Sequence, residues 1–149
     1  MKTYKYTIPE LSLKLNKSEM IKSKITSSGE AAKICSQFYF DDLEIYESFF
    51  ILLLNRANNT IGWAKISQGG CVGTVIDSKI IAKYCIDSLA QGVILCHNHP
   101  SGNNQQSNED IEITKRIKQV LQLFDCNVLD HIILTSENYY SLADNGLIN

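Results

Sequence analysis

The pattern of apolar and polar positions divides the chain into alternating strand-like and helix-like segments. Residues 48–54 (SFFILLL) are apolar at successive positions, which predicts a central strand covered on both faces. Asn55 to Asn59 predicts a turn, and Thr60 to Ser67 the returning strand of a hairpin. Gly69, Gly70 and Gly73 mark a loop. From Asp77 the spacing becomes helical, with Ile80, Ile81, Tyr84, Cys85, Ser88 and Leu89 on one stripe and Gly92 placed to end the helix. Val93 to Cys96 predicts another buried strand. A polar loop follows, then a helix from about Asn108 that buries Ile113, Ile117, Val120, Leu121 and Phe124. Asn127 to Leu134 predicts one more strand. Upstream, Ser27 and Glu30 have capping-box spacing, and the helix after them would bury Ala31, Ile34, Cys35 and Phe38. Leu11, Leu13 and Leu15 alternate with polar residues, the pattern of a short strand. The expected fold class is α/β, with a mixed, partly parallel sheet flanked by helices.

A chain of 149 residues has the length of one domain. No repeat, low-complexity tract or linker divides it. The simplest partition is an N-terminal extension over 1–26 and one domain over 27–149. At 44% hydrophobic and 20% charged it has the composition of a globular protein with its own core. No run approaches the roughly 18 apolar residues of a membrane span. The N-terminus lacks the apolar stretch of a secretory signal, so the expected location is cytoplasmic. Five cysteines, none in a CxxC pair, argue against a disulfide framework or a cysteine-zinc site and for buried free thiols.

The net charge of −2 does not favour binding to nucleic acid at large. The distribution is uneven, however. Residues 1–34 hold seven lysines against three glutamates, and the remainder seven basic against thirteen acidic residues. The basic arm could make a weak contact with nucleic acid or an acidic partner; the simpler reading is solvated lysines.

The chemistry concentrates at residues 97–110, HNHPSGNNQQSNED. His97 and His99 lie at the end of a buried strand, and in extended backbone such residues point to the same side. Their imidazoles can converge on one ion. Ser107 reads as an N-cap with Asp110 in the first turn of the next helix. Two neutral imidazoles and a carboxylate suit zinc, and three protein ligands leave a fourth position open for water. A water so activated needs a nearby base. The candidate is Glu47, a carboxylate at the mouth of the apolar central strand; Glu44 is the competitor, further from it. His131 reads as a satisfied structural histidine, or with Asp130 as a pair that orients a ligand. Cys96 should point away from His97 by strand alternation.

These residues resemble the JAMM (JAB/MPN) metalloproteases, whose pattern is an upstream glutamate, then His-x-His, seven residues, serine, two residues and aspartate. The chain is more closely similar to the RadC-like branch, through HNHPSG at 97–102, LDHIIL at 129–134, ESFFILLLN at 47–55, ISQGG at 66–70 and YYSLADNGLI at 139–148. The similarity runs from about Ser27 to the end. Gln106 stands where the family usually has proline. The helix-hairpin-helix region that precedes this domain in longer RadC proteins has no room in 149 residues, so the MPN domain alone is expected.

The resemblance implies an MPN/JAB fold of cytidine-deaminase-like architecture. It implies that His97, His99 and Asp110 hold Zn2+ and that Glu47 acts as general base and then acid. Ser107 would donate a hydrogen bond to the attacking water or the developing oxyanion. The implied reaction is hydrolysis of an amide or isopeptide bond in a peptide substrate. Two other readings follow from the family: a repair-associated or nucleic-acid-processing protein, and a non-catalytic zinc-binding module. The zinc deaminase signature, H-x-E with P-C-x-x-C, does not occur here.

Overall fold

The computed structural model describes residues 22–39, 41–71 and 73–149. The expected strand at Leu11–Leu15 and most of the basic arm lie outside the described residues. The element order is α1 (Ser28–Ser36), β1 (Ser48–Leu54), β2 (Thr60–Gln68), α2 (Ser78–Asp87), β3 (Gly92–Asn98), α3 (Asn108–Gln122), β4 (Asn127–Leu134) and β5 (Tyr139–Ser141). The strands form one sheet in the order β2-β1-β3-β4-β5. Only β3 and β4 pair in parallel, linked by the crossover helix α3; the other neighbours are antiparallel. The chain is therefore an α/β domain built on a mixed sheet.

Strand β1 is buried at all seven positions and lies between β2 and β3. Alternation sends Phe49, Ile51 and Leu53 into one core, with Ile81, Cys85, Ile117 and Leu121 of α2 and α3. It sends Phe50, Leu52 and Leu54 into the other, with Ala31, Ala32 and Cys35 of α1 and with Phe38 and Tyr39. A sheet with a core on each face needs apolar residues at every position of its middle strand, which is why 48–54 is a continuous apolar run. Truncating a fully buried leucine such as Leu52 would cost about 2–5 kcal/mol.

Several local expectations are corrected. The buried stripe of α2 is Ser78, Ile81, Ala82 and Cys85, while Ile80, Tyr84 and Leu89 are exposed. Ile81 and Cys85 of the expected stripe are buried, and Ala82 joins them in the core. Its C-terminal turn is made by Leu89 at φ +55°, not by Gly92. Gly92 instead opens β3, where a Cβ would stand 2.8 Å from Leu129 Cδ1. Phe124 lies beyond the end of α3 and is half exposed. Ser27 caps α1 as expected, but the Glu30 carboxylate accepts from the backbone N–H and hydroxyl of Thr26. Cys71 is exposed; the other four cysteines are buried, and all five are free thiols. Strand β5 is an addition to the expected elements, a three-residue return from β4. Among the described residues no helix is long and apolar enough to cross a membrane.

One irregularity matters for the site. Val93 pairs with Val128 but Ile94 pairs with Asp130, so Leu129 is an extra residue in β4. Such a bulge reverses the phase of side chains beyond it. Val128 faces the α2/α3 core, yet Ile132 and Leu134 face the α1 core. His131 is thereby turned to the same side of the sheet as His97.

Candidate metal centre

The histidines sit where β3 leaves the sheet. His97 is the penultimate residue of the strand and 2% exposed. His99 lies just beyond it, and its backbone N–H continues the pairing by donating to the Leu134 carbonyl at 2.9 Å. The two Nε2 atoms are 2.9 Å apart. Cys96 points to the opposite face, among the α1 core, as alternation requires.

Asp110 arrives from the N-terminus of α3. Ser107 is the N-cap; its hydroxyl accepts from Asp110 N–H at 3.1 Å, and Asp110 Oδ2 accepts from Ser107 N–H at 2.7 Å. This reciprocal box, closed by an aspartate at the third helical position, fixes the carboxylate's direction. Its Oδ1 lies 3.1 Å from His97 Nε2, and its Oδ2 3.7 Å from His99 Nε2. Burial opposes ionisation of Asp110, but the bond and charge of His97 and the bonds with Ser107 outweigh it. The carboxyl is held well below the usual carboxylate range.

Glu47 comes from the third direction, one residue before β1. A donor atom from each of Glu47, His97 and His99 lies within 4.8 Å of the others. Glu47 and Asp110 also line one cleft of about 160 Å³, with Phe49, Gly73, Thr74, Ile76, His97, Glu109 and Ile113. The segment carrying Glu47 is docked by a residue that sequence reasoning passed over. Asn98, fully buried between the two histidines, points to the other face. Its Nδ2 donates to the carbonyls of Leu43 and Tyr46 at 2.6 and 2.7 Å, and its Oδ1 accepts from Ser48 N–H at 2.8 Å. The signal was its position: a polar residue on the buried face of a strand must find partners. Glu44, the competitor for the base, is exposed.

His131 is fully buried and touches the site directly. Its Nε2 lies 2.8 Å from His97 Nδ1, and its Nδ1 lies 2.6 Å from the Thr114 hydroxyl. Phe49 packs against both rings, at centroid distances of 6.0 Å to His97 and 5.5 Å to His131. Burial, reinforced by His97, pushes the His131 imidazole well below its ordinary range, so the ring is neutral. Asp130 is not its side-chain partner. That carboxylate accepts from the N–H groups of His131 and Ala143 and from the Ser141 hydroxyl, tying the C-terminal segment to β4.

The donor set suits a metal ion. His99 Nδ1 faces the Asn103 carbonyl at 2.6 Å. A carbonyl only accepts, so Nδ1 carries the proton and the neutral ring keeps its lone pair on Nε2. That lone pair meets His97 Nε2 and the Asp110 carboxylate at close range. Atoms so disposed need a shared proton or cation between them, and imidazoles with carboxylates are a donor set that can hold a metal ion.

Comparison with known proteins identifies the family. The family model described as RadC-like JAB domain matches residues 25–147. The chain is 43% identical over 124 residues to a UPF0758 protein of Flavobacterium johnsoniae, covering 83% of this chain and 53% of that protein. It is 39% identical over 128 residues to a UPF0758 protein of Coprothermobacter proteolyticus, covering 85% and 54%. A UPF0758 protein of Porphyromonas gingivalis is 35% identical over 141 residues, covering 93% and 61%. The chain thus spans little more than half the length of these curated relatives. A family match over most of its residues, on a mixed sheet with the histidines, the aspartate and the glutamate at one strand end, places this chain in the RadC-like JAB domain family.

Proposed function

We propose that the chain is a zinc-dependent hydrolase of JAMM type that cleaves amide or isopeptide bonds. One observation carries this reading: Glu47, His97 and His99 bring donor atoms within 4.8 Å of one another, and Asp110 lies against both histidines, beside an open cleft. His97, His99 and Asp110 are assigned as the ligands. Asp110 lies 3.1 Å from His97 and 3.7 Å from His99, and its cap directs its ionised carboxylate between them. A bound zinc ion would supply Lewis acidity to a water molecule and to the scissile carbonyl.

Glu47 is half-buried and lines the cleft, where a carboxylate can reach a water on its way to a substrate carbonyl. It takes the proton from that water and returns it to the leaving amine. Ser107 Oγ accepts from Asp110 N–H, so its own hydroxyl proton is available to a developing oxyanion. Phe49, Ile76 and Ile113 give the cleft apolar walls that hold bulk water back.

The test is digestion of a peptide library by zinc-loaded protein, with Glu47→Gln as control. The wild type should hold about one zinc per chain and cleave; Glu47→Gln should keep the zinc and lose cleavage. Full activity in that variant would remove Glu47 as base, and protein that takes up no zinc would remove the centre.

A further inference from the structure

His97 Nδ1, the two ring nitrogens of His131, the Thr114 hydroxyl and the Asp110 carbonyl form one unbroken line of hydrogen bonds at 2.8, 2.6 and 2.5 Å. All four residues are at least nine-tenths buried. We propose that Thr114 and His131 are positioning residues which set the tautomer of His97, so that its Nε2 presents a lone pair to the metal centre. The role in metal binding rests on the zinc reading above; the proton arrangement does not.

The direction of every bond follows from its far end. The Asp110 carbonyl can only accept, so Thr114 spends its single proton there. This is the bond of a threonine to the carbonyl four residues earlier, available because both lie on α3. With that proton committed, the Thr114 oxygen can only accept from His131, whose Nδ1 must be the protonated nitrogen. The neutral ring then has its lone pair on Nε2. His97 Nδ1 must donate to it, so whenever the His97 ring is neutral its lone pair falls on Nε2.

His99 reaches the same state by a shorter route, through Asn103. With both rings neutral, the two Nε2 atoms, 2.9 Å apart with Asp110 beside them, would each offer a lone pair to one ion. The device also has a register: Asp110 supplies its carboxylate to the centre and its backbone carbonyl to the start of the chain. One residue sets both the charge and the tautomer.

The test reads tautomers first and metal second. In metal-free protein, long-range proton–nitrogen correlation spectra should show His97 and His131 both protonated at Nδ1. Thr114→Val keeps the shape and removes the hydroxyl. It should shift His97 toward the Nε2-protonated form and weaken zinc binding about 10- to 100-fold in chelator competition. Thr114→Ser should restore both. A His97 without a proton at Nδ1 in the wild type, or unchanged tautomers in Thr114→Val, would overturn the proposal. The stated tautomers without any zinc uptake by the wild type would instead overturn the zinc reading and uphold the proton arrangement.

Discussion

Gly73 N–H donates to Glu47 Oε2 at 2.9 Å, so the carboxylate assigned as general base is tied to the loop that forms one wall of its cleft. The backbone reinforces the tie: Glu47 N–H donates to the Gly70 carbonyl and Gly69 N–H to the Glu47 carbonyl, each at 2.9 Å. A Cβ at Gly69 would collide with the Gly73 carbonyl oxygen, which is backbone and cannot swing aside. Gly69→Ala should therefore displace the loop and release Glu47. A charge-assisted hydrogen bond of this kind contributes about 1.5–3 kcal/mol. The expected result is faster hydrogen exchange at the Gly73 amide and at least a tenfold fall in kcat, about 1.4 kcal/mol, with zinc affinity unchanged. An unaltered Gly73 exchange rate would show that the loop does not depend on Gly69.

Asn98 supports the same carboxylate from below. Three backbone groups, of Leu43, Tyr46 and Ser48, meet on its buried amide. Asn98→Ala leaves them without that partner where little water enters, at a cost of about 3 kcal/mol or more. Asn98→Asp keeps the acceptor but loses both donors and buries a charge, so it should cost more still. Urea denaturation midpoints check both. A loss under about 1 kcal/mol in Asn98→Ala would show that other contacts carry the 43–48 segment.

Asp130 should leave a mark on the pH dependence of stability. Burial raises its carboxyl above the ordinary range, while the bonds from Ser141, Ala143 and His131 and nearby Asp144 act with smaller weight. The folded state then binds this proton more tightly than the unfolded state. The stability so gained is complete below the ordinary carboxylate pKa of about 3.9 and is lost as pH rises through the folded value. Asp130→Asn has no such proton. Its stability deficit relative to wild type should be larger near pH 3.5 than at pH 7, as read from urea midpoints across that range. A deficit that grows with pH would reverse the sign of the burial effect.

Metal removal should be visible without any substrate. Zinc at about 1,000 times its Kd would stabilise the folded chain by about 4 kcal/mol. For a domain of this size that is a rise in Tm of roughly 8–16 °C. Chelator should reverse it, and His99→Ala should abolish it while retaining the fold. An equal rise in His99→Ala would place the ion elsewhere.

Much of the fold was legible as pattern. Strand β1 announced itself because both faces of a central strand need apolar residues, and α3 because a crossover helix packs one stripe. The errors fell where pattern underdetermines packing. In α2 the expected stripe held for Ile81 and Cys85, but it also took in Ile80, Tyr84 and Leu89, which are exposed, and left out the buried Ala82. Strand β5 is three residues long, too short for any periodicity to register.

The candidate site divides in the same way. His-x-His at a strand end and Ser107 with Asp110 at a helix start are local geometries, so backbone periodicity alone brings each pair together. Glu47, Asn98 and His131 belong to the site through contacts between elements. Sheet order sets β1 beside β3, and Asn98 docks the segment before β1 so that Glu47 meets the histidines. The extra residue Leu129 reverses the phase of β4 and turns His131, not Asp130, toward His97. Strand alternation is a short-range rule that a single bulge resets, and bulges arise from how two strands fit together. The proposed ligand pattern was therefore readable along the chain, whereas the placement of Glu47 and His131 beside it depends on how the strands pair.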